Sequence, residues 1–142
     1  MFAEGPYGRL TTSARRTSRA LLIAGGIGIT PLRALLEELP SGAGAVSLIY
    51  RARDWSDVVF YDELAELARV RGTEIHFLVG ERGSPDVPDD PLGAPSIRRL
   101  VPDILMRDVY LCGPLGMMDA VRHALRTLRV PGSRIHSERF AY

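Results

Sequence analysis

The stretch LLIAGGIGITPL, Leu21 to Leu32, leaves this chain few folds to choose from. Its first part is apolar without interruption, and a strand of that kind needs both of its faces covered. It then gives up its side chains at Gly25, Gly26 and Gly28 and restarts as Thr-Pro-Leu, the composition of a helix entry. A doubly buried strand running straight into a helix is the repeating unit of a parallel α/β sheet.

The rest of the chain repeats the unit. Strands are predicted at Arg19–Ala24, Ala45–Tyr50, Thr73–Gly80 and Asp108–Gly113, with a last one in SRIHSERFAY. Helical spacing joins Leu32, Leu35, Leu36 and Leu39, with Thr30 as N-cap, Pro31 at the first helical position and Pro40 closing the helix. Phe60, Leu64, Leu67 and Ala68 mark a second helix, entered at Ser56 or Asp57 and stopped by Gly72. A short amphipathic segment, SIRRLVP, precedes the fourth strand, and Met118, Val121, Leu125 and Leu128 line a last helix. The Gly-, Pro- and Asp-rich stretch from Gly80 to Pro95 reads as an exposed, mobile loop. The expected fold is α/β, a Rossmann-like five-stranded parallel sheet with helices on both faces.

Composition narrows the chemistry. With 142 residues, 46% of them hydrophobic, there is enough for one core and too little for two. All 18 basic residues are arginine, and Lys, Asn and Gln are absent, which rules out a Schiff-base lysine, a P-loop lysine and Cys-His-Asn proteolysis. A net charge of +1 gives no nucleic-acid footprint. One cysteine, Cys112, excludes an internal disulfide and suits a reducing, cytoplasmic setting. The longest apolar run is too short and too glycine-rich to cross a bilayer. His76, His123 and His136 have no partners at metal-ligand spacing, so no metal site is expected and the three are placed on strand or helix surfaces.

In such sheets ligands gather at the carboxyl ends of the strands, where GGIGITP, YRARDW and CGPLGMM all fall. Backbone amides bared by glycine at a helix start attract an anion, so the first of these is either a pyrophosphate-binding turn or a tight strand-to-helix connection. The spacing departs from G-x-G-x-x-G in its last position. The second strand ends in Tyr50, Arg51, Ala52 and Arg53, where NAD-binding units carry an acid, so a 2′-phosphate is suggested. The arginines could equally be solvated or paired with Asp54 and Asp57, Arg53 more so than Arg51. Trp55 reads as a surface tryptophan, with adenine stacking as the sharper option.

EGPYG, GGIGITP, YLCGP and SERF, in this order, resemble the NAD(P)-binding half of the ferredoxin-NADP reductase superfamily, nearest its ferric reductase and NADPH oxidase branch. The resemblance implies NADPH or NADH as coenzyme, with NADPH favoured by Arg51 and Arg53, and FAD on a barrel domain upstream that receives hydride. Residues 1–8 would be the exit from that barrel and 9–142 the nucleotide domain. Gly25, Gly26, Ile27, Gly28, Ile29, Thr30 and Pro31 would form the pyrophosphate turn, and Tyr50, Arg51 and Arg53 would read the ribose. Cys112, with Gly113 and Pro114, would lie beside the nicotinamide as a positioning group rather than a nucleophile.

Glu138 and Phe140 match the family's carboxylate and flavin-covering aromatic, with Tyr142 as a second ring that could stack. The branch further implies a membrane haem part in the full-length protein, and a place at the cytoplasmic face of a membrane. The competing class is a regulatory nucleotide-binding module without redox activity. Cys112, Glu138 and the aromatic tail argue against it.

Overall fold

The computed structural model describes residues 18–39 and 42–137. Five strands, β1 (Arg19–Gly25), β2 (Val46–Ala52), β3 (Glu74–Val79), β4 (Arg107–Cys112) and β5 (Ile135–Ser137), form one parallel sheet in the order β3-β2-β1-β4-β5. Four helices, α1 (Ile29–Glu38), α2 (Tyr61–Arg71), α3 (Ala94–Leu100) and α4 (Leu115–Thr127), connect them. The expected α/β architecture is the one observed.

β1 is central, and every residue from Ala20 to Ala24 is buried. Ala20, Leu22 and Ala24 pack with Leu32, Leu35 and Leu36 of α1 and with Leu64 of α2. Leu21 and Ile23 face Ile97 of α3 and Met118, Val121 and Leu125 of α4. This two-sided burial is why the run carries no polar residue. Below the sheet, the buried Arg107 side chain donates to the carbonyls of Ala20 (2.7 Å) and Gly44 (2.8 Å) and pairs with Asp103 (2.8 Å), so it fastens the amino ends of the strands.

Several local expectations change. α1 begins at Ile29, because Gly26–Gly28 form a 3-10 turn that runs into it; Gly28 is the N-cap, and Thr30 and Pro31 are the helix's second and third residues. Pro31 is still tolerated there, since first-turn amides have no intrahelical acceptor. Pro40 lies outside the described residues. β2 continues two residues past Tyr50, to Ala52. Before α2, the Asp54 carboxylate caps a separate 3-10 turn by accepting from the Ser56 amide at 2.8 Å, and α2 itself is entered through Phe60.

Gly72 does end α2, in the left-handed conformation. The 80–93 segment is exposed at Glu81–Gly83 but buries Val87 and Leu92 against the core, with a bridge between Ser84 and Val87. His136 is not on a surface. Its ring stacks on Tyr110 at 4.9 Å and its Nε2 lies 2.9 Å from a carboxylate oxygen of the buried Asp108. Among the described residues no helix is long and apolar enough to cross a membrane.

Candidate coenzyme cleft

The strand order reverses between β1 and β4, and parallel sheets open a crevice above such a point, at the carboxyl ends of the strands. A cleft of about 890 Å³ lies there. Gly25, Gly26, Ile27 and Thr30 border it from the β1–α1 side, Pro114 and Met117 from the β4–α4 side. Arg51, Arg53 and Arg82 border its other end, beyond β2 and β3, with Asp57 and Phe60 alongside. Two of the three stretches singled out at strand ends thus face each other across one crevice, and the third closes its end.

Two glycines of the turn are required for different reasons. Gly26 has φ +56, and a Cβ there would meet nothing within 4 Å, so its need is conformational and the space above it is open. Gly28 is a matter of space: a Cβ would fall 2.1 Å from the Cys112 carbonyl oxygen. The turn therefore rests directly on the end of β4. No side chain caps α1 and no acid lies in its first turn, so the partial positive charge of that helix start is left for a ligand. Gly28, Ile29 and Pro31 are buried and support the turn, whereas Gly26, Ile27 and Thr30 present it.

At the arginine end, Arg51 is spoken for in part. Its Nη1 donates to the carbonyls of Ala52 (2.6 Å), Leu78 (2.9 Å) and Gly80 (2.8 Å), pinning the end of β2 to that of β3. Burial, then the charges of Arg82 and Arg53, push its pKa below the usual arginine value. Arg53 and Arg82 form no ion pair among the described residues, although Asp57 and Asp90 also border the cleft. Asp54 is occupied by its own turn rather than by Arg53.

Tyr50 departs from its expected role. It is fully buried and does not border the cleft, and its hydroxyl accepts the Val59 amide at 3.1 Å, so it supports the loop above. Trp55 packs on Tyr61 (5.9 Å) and Phe77 (5.6 Å) and does not border the cleft.

At the β4 end Cys112 is buried, next in register to Ala24, and Gly113 is buried beside it. Met117 inserts between the two strand ends: a Cβ on Gly25 would lie 2.3 Å from its Sδ, and one on Gly113 would lie 2.6 Å from its Cε. Glu138, Phe140 and Tyr142, and the GPYG segment, lie outside the described residues.

Among the cleft residues that the sequence does not mark as a site are Met117, Arg82 and Phe60. Met117 falls within CGPLGMM, but a methionine there carries no signal that separates cleft from core. Arg82 sits in a stretch whose composition reads only as loop, and its one signal is a cation immediately past the third strand's carboxyl end. Phe60 does pack against the core, as its place on the apolar face of the second helix implies, but it also borders the cleft, and its backbone is left-handed, φ 62 and ψ 24, a conformation that costs a bulky L-residue roughly 1–2 kcal/mol.

The site so built is that of a nucleotide-binding oxidoreductase domain. The profile of the oxidoreductase NAD-binding domain family matches residues 22–123, and the chain belongs to that family. It is 39% identical over 124 residues, 84% of its length, to the ferredoxin reductase component of 3-ketosteroid-9-alpha-monooxygenase from Mycobacterium tuberculosis. It is 33% identical, over 96% of its length, to the reductase component of propane 2-monooxygenase from Rhodococcus jostii. The chain spans 33% and 39% of those two proteins.

Among solved structures, the flavohem-like FAD/NAD-binding domain of nitric oxide dioxygenase from Vibrio cholerae superimposes with a TM-score of 0.72 at 29% identity. That match takes in 89% of this chain and 52% of the other. The superfamily resemblance holds. The ferric reductase branch is not singled out, since the two relatives above are named as reductase components of oxygenases.

Proposed function

We propose that this chain is the pyridine-nucleotide half of a flavin-dependent reductase, binding NADPH in preference to NADH and presenting it to FAD on a barrel domain that precedes it in a longer protein. The observation that carries this reading is the pairing, across one cleft, of an uncapped glycine turn with a cluster of three arginines.

The residues present fit a dinucleotide. Open space above Gly26 admits a diphosphate against the amides at the start of α1, where the helix adds partial positive charge. Arg53 and Arg82, without acid partners, offer guanidinium donors to a 2′-phosphate, and Arg51 holds the floor beneath them. At the other end Ile27, Pro114 and Met117 make an apolar wall that excludes water from a nicotinamide face. Cys112 is buried beneath that end without bordering the cleft, and in this reading it is a positioning group rather than a nucleophile.

The bound coenzyme supplies the hydride chemistry, and this chain supplies placement and electrostatics. Glu138, Phe140 and Tyr142 belong to the same reading as the groups nearest the flavin, as do residues 1–8 as the link to the barrel. The relatives favour an oxygenase or its electron carrier as final acceptor over ferric chelates. A cytoplasmic place, where the coenzyme is available, belongs to the reading too, and it needs no membrane haem part.

Calorimetric titration with both coenzymes tests the proposal. NADPH is expected to bind more tightly than NADH. Arg82→Ala and Arg53→Ala should each weaken NADPH about tenfold, as loss of a charge-assisted phosphate contact does, and NADH less than about twofold. Arg51→Ala should weaken both, because it also unpins β2 from β3. Equal losses for the two coenzymes in Arg82→Ala and Arg53→Ala would remove the 2′-phosphate reading, and no binding of either coenzyme would remove the whole proposal.

A further inference from the structure

We infer that Phe60 is the base platform of this cleft, its ring backed by Arg33 and offering a face to the adenine of the bound nucleotide. The inference rests on the coenzyme reading above.

Phe60 enters α2 with φ 62 and ψ 24. Glycine or asparagine would take that conformation with little strain and start the same helix. A phenyl ring kept where the backbone disfavours it is a side chain in use, and such outliers gather at ligand sites. The residue is half-buried, packed on one side against the core, and borders the cleft at the arginine end with Arg53 and Asp57.

It is also held still. The amide of the preceding residue, Val59, donates to the buried Tyr50 hydroxyl at 3.1 Å, and the Phe60 carbonyl accepts from Leu64 at 2.8 Å. Arg33, itself fixed by Glu63 at 2.9 Å, sets its Cζ 5.3 Å from the ring centroid. The Glu63 carboxylate thus holds one edge of the guanidinium while the Phe60 ring lies within cation–π range of it, and among the described residues the buried Nε of Arg33 has no hydrogen-bond partner.

A rigid aromatic face in a cleft matches a flat, π-faced ligand part. A purine next to a phosphate-reading arginine cluster is that part, and stacking of a base on an aromatic ring tolerates any purine substituent. Trp55, the more obvious aromatic, does not reach the cleft.

The test uses 2′-phospho-AMP and NADPH as probes. In the wild type, NOEs are expected between adenine H2 or H8 and the Phe60 ring protons. Phe60→Leu should weaken both probes about tenfold, the scale of one base–aromatic contact, while Phe60→Tyr stays within about twofold. The inference is overturned if the NOEs are missing, if Phe60→Leu binds as the wild type does, or if Phe60→Tyr loses as much as Phe60→Leu. Should Phe60→Leu fail to fold, the wild-type NOEs decide alone. NADPH binding without an adenine–Phe60 contact sinks only this inference, whereas no NADPH binding sinks the reading beneath it.

Discussion

Gly28 lies so close to Cys112 that a side-chain carbon on the glycine would fall 2.1 Å from the cysteine's carbonyl oxygen and 2.5 Å from its carbonyl carbon. The neighbour is main chain in the middle of the sheet's carboxyl edge, and main chain cannot swing aside. The glycine turn and the end of β4 are thus one rigid body, and the placement of anything bound at the turn is referred to the strand that carries Cys112.

Gly28→Ala must therefore separate the turn from β4. We expect a loss of about 2–4 kcal/mol in urea unfolding, the scale of a backbone-level clash, together with loss of coenzyme binding. Gly26→Ala is the control: its Cβ would enter open space, so it should cost only about 1–2 kcal/mol of left-handed strain and leave the fold intact. Equal effects of the two substitutions would show that steric contact with Cys112 is not what Gly28 is for.

A second close approach has a different character. A Cβ on Gly25 would sit 2.3 Å from the Met117 Sδ, but that atom is near the end of an unbranched, flexible side chain. Gly25→Ala should accordingly destabilise the protein by about 1–3 kcal/mol, as overpacking does. The double variant with Met117→Ala should recover at least half of that loss relative to Met117→Ala alone. A double-mutant cycle in thermal or urea unfolding measures the coupling, and additive losses would mean that the two residues do not meet.

How far these features were legible in the sequence follows from their range. The uninterrupted apolar run around Leu22 announced a central strand, and the punctuation by Gly25, Gly26 and Gly28 announced the cleft, because burial on two faces and bare backbone both leave their mark on adjacent residues. α1 starts earlier than Thr30 and Pro31 suggest because the Gly26–Gly28 turn runs straight into it, and glycines carry no local helix signal. The burial of Tyr50 is not legible locally, because β2 runs two residues beyond the apolar segment and takes the ring beneath the cleft. Phe60 carries no sign of its left-handed backbone, since neither it nor its neighbours is a residue type that favours that conformation. The pairing of His136 with Asp108 spans 28 residues and two neighbouring strands, and no local period reports it.

At the opposite, amino edge of the sheet, Asp103 contributes to the response to acid. Burial raises the Asp103 carboxyl, but its hydrogen bond to Arg107 and the charges of Arg107 and Arg19 outweigh that and hold its pKa below the ordinary aspartate value. A carboxylate depressed in the folded state contributes stability that is fully present above its unfolded pKa, about 3.9, and is lost as pH falls through the lower folded value. The protein is therefore expected to lose stability below about pH 4.

Asp103→Asn should remove part of that acid dependence while lowering stability at neutral pH, where Arg107 would remain buried with its ion pair gone. Urea midpoints measured from pH 3 to pH 7 check this. If the variant and the wild type lose stability in parallel across that range, the Asp103–Arg107 pair is not what holds the amino edge together in acid.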